Sequence, residues 1–69
     1  MQTQTILSEI EAEARAIDWG LKVDVCAAAC SEKAVAALLD RNDPRRQRAD
    51  LIRAAAYALL AVERMEEQA

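Results

Sequence analysis

Cys26 and Cys30 are the only thiols in a 69-residue chain that has no histidine. Four residues apart on a helix, they lie one above the other on the same face. Their Cβ atoms are then about 5–6 Å apart, too far for an unstrained disulfide within a regular helix. They could act as a redox pair or bridge two subunits. As small side chains among alanines they equally suit plain helix packing, which is the reading the surroundings favour. No histidine or cation run stands beside them to hold a thiolate, and the pair offers neither a zinc spacing nor a disulfide framework.

Three further groups could carry chemistry. Glu9, Glu11 and Glu13 suggest a cation site, but residues two apart on a helix diverge by about 200°, so only Glu9 and Glu13 share a face and a solvated acidic face is the simpler reading. Arg45, Arg46 and Arg48 crowd the start of a helix, where the macrodipole disfavours cations. Backbone N–H groups and guanidinium forks at such a place suit phosphate or carboxylate, although Pro44 removes one donor; the alternative is pairing with Asp40, Asp43, Asp50 or the acidic first helix. Arg53, Tyr57, Leu60 and Arg64 recur at i, i+4, i+7 and i+11. They form either a partner-binding stripe, since Tyr and Arg are enriched at hot spots, or a face packed on the first helix.

The elements that must position these residues are helices. One Gly, one Pro and an apolar fraction of 54%, much of it alanine, favour helix throughout. Ile6, Ile10, Ala14 and Ile17 mark an amphipathic first helix over about 3–19, stopped by Gly20, with Trp19 expected to fold back over the seam. A second helix, about 24–41, is expected to open at Asp24 as its N-cap and is apolar nearly all round, with Glu32 and Lys33 the only charges between Asp24 and Asp40. Pro44 begins a third helix over 44–68, about 35 Å long, with Asp43 as N-cap. Leu51, Ala55, Ala58, Leu59, Val62 and Met65 are expected to be its core seam.

Twelve acidic against nine basic residues give a formal net charge of -3, which argues against general nucleic-acid binding. The balance is uneven: residues 1–24 carry five acids against two bases, and residues 41–53 five arginines against two aspartates. No stretch approaches the ~18–20 apolar residues of a membrane span and no signal sequence is legible, so a cytoplasmic protein is expected.

The helix Arg48–Met65 resembles the last long helix of small phage and bacterial MazG-like proteins, the all-α nucleotide pyrophosphohydrolases. Ala27–Asp40 looks like the helix carrying their first acidic motif, and Ile6–Gly20 like their opening helix. In that family an ExxE pair and an ExxD pair hold magnesium on a triphosphate. Here only Glu32 stands near the first motif, beside Cys30 and Lys33, and Asp50 is followed three residues on by Arg53. The resemblance therefore implies a shortened, degenerate relative without catalysis, retaining at most nucleotide binding through Arg45, Arg46 or Arg48.

The sequence predicts a single all-α domain, a three-helix chain with a long C-terminal helix. It is an antiparallel hairpin or bundle completed by homo-oligomerisation, most simply a dimer, because its own two neighbours cannot cover the second helix. Val25, Cys26, Ala29, Cys30 and Leu38 are the expected oligomer interface. No catalytic or metal-binding residue and no cofactor is expected. The leading functional expectation is a phage-encoded interaction protein that binds a host protein and modulates or inhibits it. The alternative is a protein that sequesters a phosphorylated nucleotide.

Overall fold

A computed structural model describes residues 2–68, which form three α-helices: α1 (Gln2–Ile17), α2 (Val23–Leu39) and α3 (Pro44–Gln68). Among the described residues no helix is long and apolar enough to cross a membrane.

The helix ends follow from local chemistry, with some departures from expectation. α1 stops at Ile17, and Asp18 turns its carboxylate to accept from the Gly20 N–H at 3.4 Å. Gly20 takes φ +87°, a backbone conformation that costs other residues a Cβ clash. Trp19 does not fold over the seam; it is 79% exposed. Lys22, not Asp24, occupies the N-cap of α2 and makes no side-chain cap bond, so Asp24 sits inside the first turn, where its charge favours the dipole. Asp40 closes α2 by donating its N–H to Ala36 O at 2.9 Å, and a tight turn follows in which the Asp43 N–H donates to Asp40 O at 2.8 Å. Asp43 then caps α3: its carboxylate accepts from the Arg46 N–H at 3.3 Å, and its carbonyl from the Gln47 N–H at 2.9 Å. The Gln47 side chain in turn donates to Ala37 O at 3.2 Å, satisfying a carbonyl near the end of α2.

α3 is the spine. α2 runs antiparallel to it, as the Gln47–Ala37 contact near one end and the Arg64–Leu21 contact at the other require. α1 runs parallel to α3, because Glu9 meets Arg48, Glu13 meets Arg53 and Asp18 meets Arg64 in the same order along both helices. Both α1 and α2 pack on α3, while no Cα of α1 comes within 8 Å of one in α2. The molecule is accordingly flat, 40 × 28 × 17 Å, its thickness about one and a half helix diameters of about 10–12 Å.

The core is small. Ala14 of α1, Cys26 of α2 and Ala56 and Leu60 of α3 form one buried cluster, with Ile10, Ile17, Leu21, Leu59 and Ala61 packed against it. Leu60 is the largest fully buried side chain. Alanine at Ala14 and Ala56 lets the helices approach closely but removes little apolar surface from water. Ion pairs along the α1–α3 flank supplement it: Arg48–Glu9 at 2.7 Å, Arg53–Glu13 at 3.0 Å, Arg15–Glu63 at 2.7 Å, and Arg64–Asp18. The first three are substantially solvated and select the helix register more than they add stability.

Candidate functional site

Among the described residues, ten large apolar side chains are left exposed by the fold. α3 turns by about 100° per residue, and its apolar residues fall on two arcs. Ala56 and Leu60, flanked by Leu59 and Ala61, face the crease between α1 and α2. Leu51, Ala55, Ala58, Val62 and Met65 lie on the opposite side, with Leu51 53%, Val62 57% and Met65 58% exposed. The expected core seam of α3 thus points mainly outward; of its members only Leu59 packs against the core. The five outward residues follow one another at alternating four and three residues, the repeat with which helices pair along a seam.

Beside this ridge an open groove of 620 Å³ runs between α1 and α3, lined chiefly by Leu7, Ile10, Ala55, Ala58, Leu59 and Val62. Gln4, Ser8 and Glu11 form its polar edge and no cation lines it, so the groove suits an apolar surface rather than a phosphate.

α2 carries the second uncovered surface. Cys26 and Ala37 face α3, while Val35, Leu38 and Leu39, at i, i+3 and i+4, point outward and are 53%, 61% and 74% exposed. The expected interface set on α2 does not form one face. Cys26 is fully buried inside the chain, and Ala29 and Cys30 are half-buried on the α3 side. Val25 and Leu38 are exposed, but about 140° apart around the helix. Both thiols are free. Burial pushes the Cys26 thiol above its ordinary value; the Arg64 guanidinium partly opposes this and Asp18 adds to it.

The expected partner stripe is mostly engaged within the chain. Leu60 is buried, Arg53 pairs with Glu13, and Tyr57 is half-buried. Arg64 holds Asp18, Leu21 O at 3.1 Å and Glu67 at 3.4 Å. Leu60 has no surface to offer a partner, and Arg64 is mostly enclosed, whereas Arg53 stays exposed while paired to Glu13.

Arg45, Arg46 and Arg48 are all exposed, but they do not converge. Arg46 and Arg48 project about 160° apart around α3. Arg48 is taken by Glu9, which raises its pKa through a hydrogen bond and charge attraction. The backbone N–H of Arg46, one of the donors an anion would need, is already bonded to Asp43.

Glu9 and Glu13 share a face as expected and hold Arg48 and Arg53. Among the described residues no three Asp, Glu or Cys side chains could hold a metal ion. One polar feature had no clear sequence signal. Asp40, at the end of α2, stands against Asp50 of α3, and this contact lifts the Asp40 carboxyl above its ordinary value of 3.8. Oδ2 of Asp50 is buried with no hydrogen-bond partner. The ten-residue separation across a turn could have suggested the contact, but not that two acids would meet.

Comparisons with protein-family models, with curated proteins and with solved structures gave no match. The candidate site therefore stands on its geometry: two exposed apolar surfaces, one on α3 with its α1 groove and one on the outer face of α2.

Proposed function

We propose that the chain is a non-catalytic interaction protein that binds another protein through the outer face of α2. The observation that carries this is the exposure of Val35, Leu38 and Leu39 on a helix whose opposite side is already occupied by α3. Leaving three neighbouring large apolar side chains in water forgoes burial free energy that a partner can recover, about 1.5–3 kcal/mol for each side chain that passes from exposed to buried. The i, i+3, i+4 arrangement fits a helix laid in a groove. Asp24 and Glu32, both exposed on the same outer arc, favour a basic rim on that partner.

In its narrower form the reading is a phage-encoded protein whose partner is a bacterial host protein that it modulates or inhibits. The test is capture of partner proteins by the immobilised chain and by its Leu39→Asp and Val35→Glu variants. Both variants should keep their far-UV circular dichroism and lose the partner held by the wild type. Undiminished capture by folded variants would reject the α2 surface.

A further inference from the structure

We infer that the uncovered ridge of α3 is seated against α3 of a second copy of this chain, running antiparallel. Three observations converge on that occupant, and none of them rests on the partner-binding reading of α2.

The ridge has the geometry of a pairing seam. Leu51, Ala55, Ala58, Val62 and Met65 follow one another at four, three, four and three residues, and all but the half-exposed Ala55 are exposed. A two-fold axis between Ala55 and Ala58 places Ala55 against the second copy's Ala58 and Leu51 against its Val62. The small pair at the centre permits close approach of the helices, and larger side chains close the seam on either side. Leu7, at the edge of the α1–α3 groove and 54% exposed, extends the apolar surface onto α1.

The charges are complementary only in the antiparallel sense. α3 opens with Arg45, Arg46 and Arg48 and closes with Glu66 and Glu67, with no acid in its first turn and no base in its last, so each end carries the sign its own dipole disfavours. Among the described residues Arg45 and Glu66 have no ion-pair partner within the chain. Each directly follows a position on the seam's line, Arg45 following Pro44 seven residues before Leu51 and Glu66 following Met65. Antiparallel pairing brings Arg45 of one copy to Glu66 of the other at both ends of the interface. A parallel pair would stack arginine on arginine and glutamate on glutamate.

The area agrees. The chain exposes 5135 Å², whereas a compact monomer of 7.6 kDa exposes about 4300 Å². The surplus, about 800 Å², equals one protomer's share of a standard-sized interface.

Sedimentation equilibrium of the full chain tests the proposal. The wild type should run at twice its chain mass at micromolar concentration. Val62→Glu, which puts a good helix former at an exposed site, should run as a monomer with its helical circular dichroism intact, while Leu39→Asp should remain dimeric. Arg45→Glu should weaken the dimer by about fivefold or more, and the double variant Arg45→Glu/Glu66→Arg should restore it. A wild type that stays monomeric at high micromolar concentration overturns the proposal, as does a dimer that survives Val62→Glu or one broken by Leu39→Asp instead. If Val62→Glu loses helicity, the charge reversal decides, since both sites are on the surface: failure of the double variant to recover the dimer rejects the antiparallel arrangement. Loss of partner capture with the dimer intact, or the reverse, separates this surface from that of α2.

Discussion

Arg64 of α3 and Asp18 at the end of α1 form an ion pair whose side chains are only 18% and 21% exposed, and the same guanidinium donates from Nε to Leu21 O at 3.1 Å. One side chain thus ties the spine to the end of α1 and to the connection leading into α2. α1 and α2 do not touch through their backbones, so this junction, together with the Leu60 cluster, sets how they are placed on either side of α3.

Arg64→Met should therefore destabilise the chain by about 2 kcal/mol, because it takes the guanidinium away from the mostly buried Asp18 carboxylate and from the Leu21 carbonyl. Urea denaturation followed by circular dichroism measures this. Arg15→Ala, which removes the solvated pair with Glu63 and a longer contact to Asp18 at 3.8 Å, should barely move the midpoint. Equal effects from the two substitutions would refute the special role of the Arg64 junction.

Leu60→Ala should cost about 2–5 kcal/mol and leave much of the population unfolded, since among the described residues Leu60 is the one large hydrocarbon side chain fully enclosed by all three helices. Leu39→Ala, at a site 74% exposed, should shift stability by no more than about 0.5 kcal/mol. Thermal melts of the two variants side by side provide the comparison.

Asp50→Asn should raise the melting temperature at neutral pH. The Asp40 carboxyl is held above 3.8, first by its hydrogen bond with Asp50, then by burial and the Asp50 charge, with Arg46 opposing. For a carboxyl with a raised folded-state pKa, the stabilising contribution is complete below the unfolded value and is lost as pH rises through the folded one. The two aspartates consequently work against the fold at pH 7. An asparagine would put an N–H donor where Oδ2 of Asp50 is buried without a partner. The gain should shrink as the pH falls toward 4; a gain of the same size at both pH values would show that the carboxyl pair is not its source.

Cys26 should resist a thiol-specific reagent in the native chain and react readily once the chain is unfolded. Burial raises its pKa above the ordinary 9.0, so the neutral thiol is the form the fold accommodates. The same shift makes the stability it contributes complete below 9.0 and progressively lost above it as the unfolded thiol ionises. Rapid labelling of Cys26 without loss of helicity would contradict its enclosure against Ala56 and Leu60.

Much of the helical layout was legible in the chain. Gly20 and Pro44 punctuate it because one tolerates a positive φ and the other both ends and begins helices, and these constraints act within a few residues. The apolar character of α2 was equally plain, since a composition with so few charges has no other reading. Local rules misplaced Asp24 and Trp19. In both cases the structure departs from the local preference, with Lys22 at the cap and the indole in solvent.

The amino-acid order by itself determined three helices, their breaks, and the presence on α3 of two arcs with apolar residues, one of them carrying Arg53 and Arg64. Which arc faces inward was decided only in three dimensions. Leu51, Ala55, Ala58, Val62 and Met65 have as good a helical period as Ala56 and Leu60, and periodicity reports a face without saying what lies against it. The choice fell to contacts between residues distant in the chain: Glu9, Glu13 and Asp18 of α1 hold Arg48, Arg53 and Arg64, and this turns Leu60 into the crease beside Ala14 and Cys26. The longer seam is left facing water, because two short helices can cover only part of the circumference of a third.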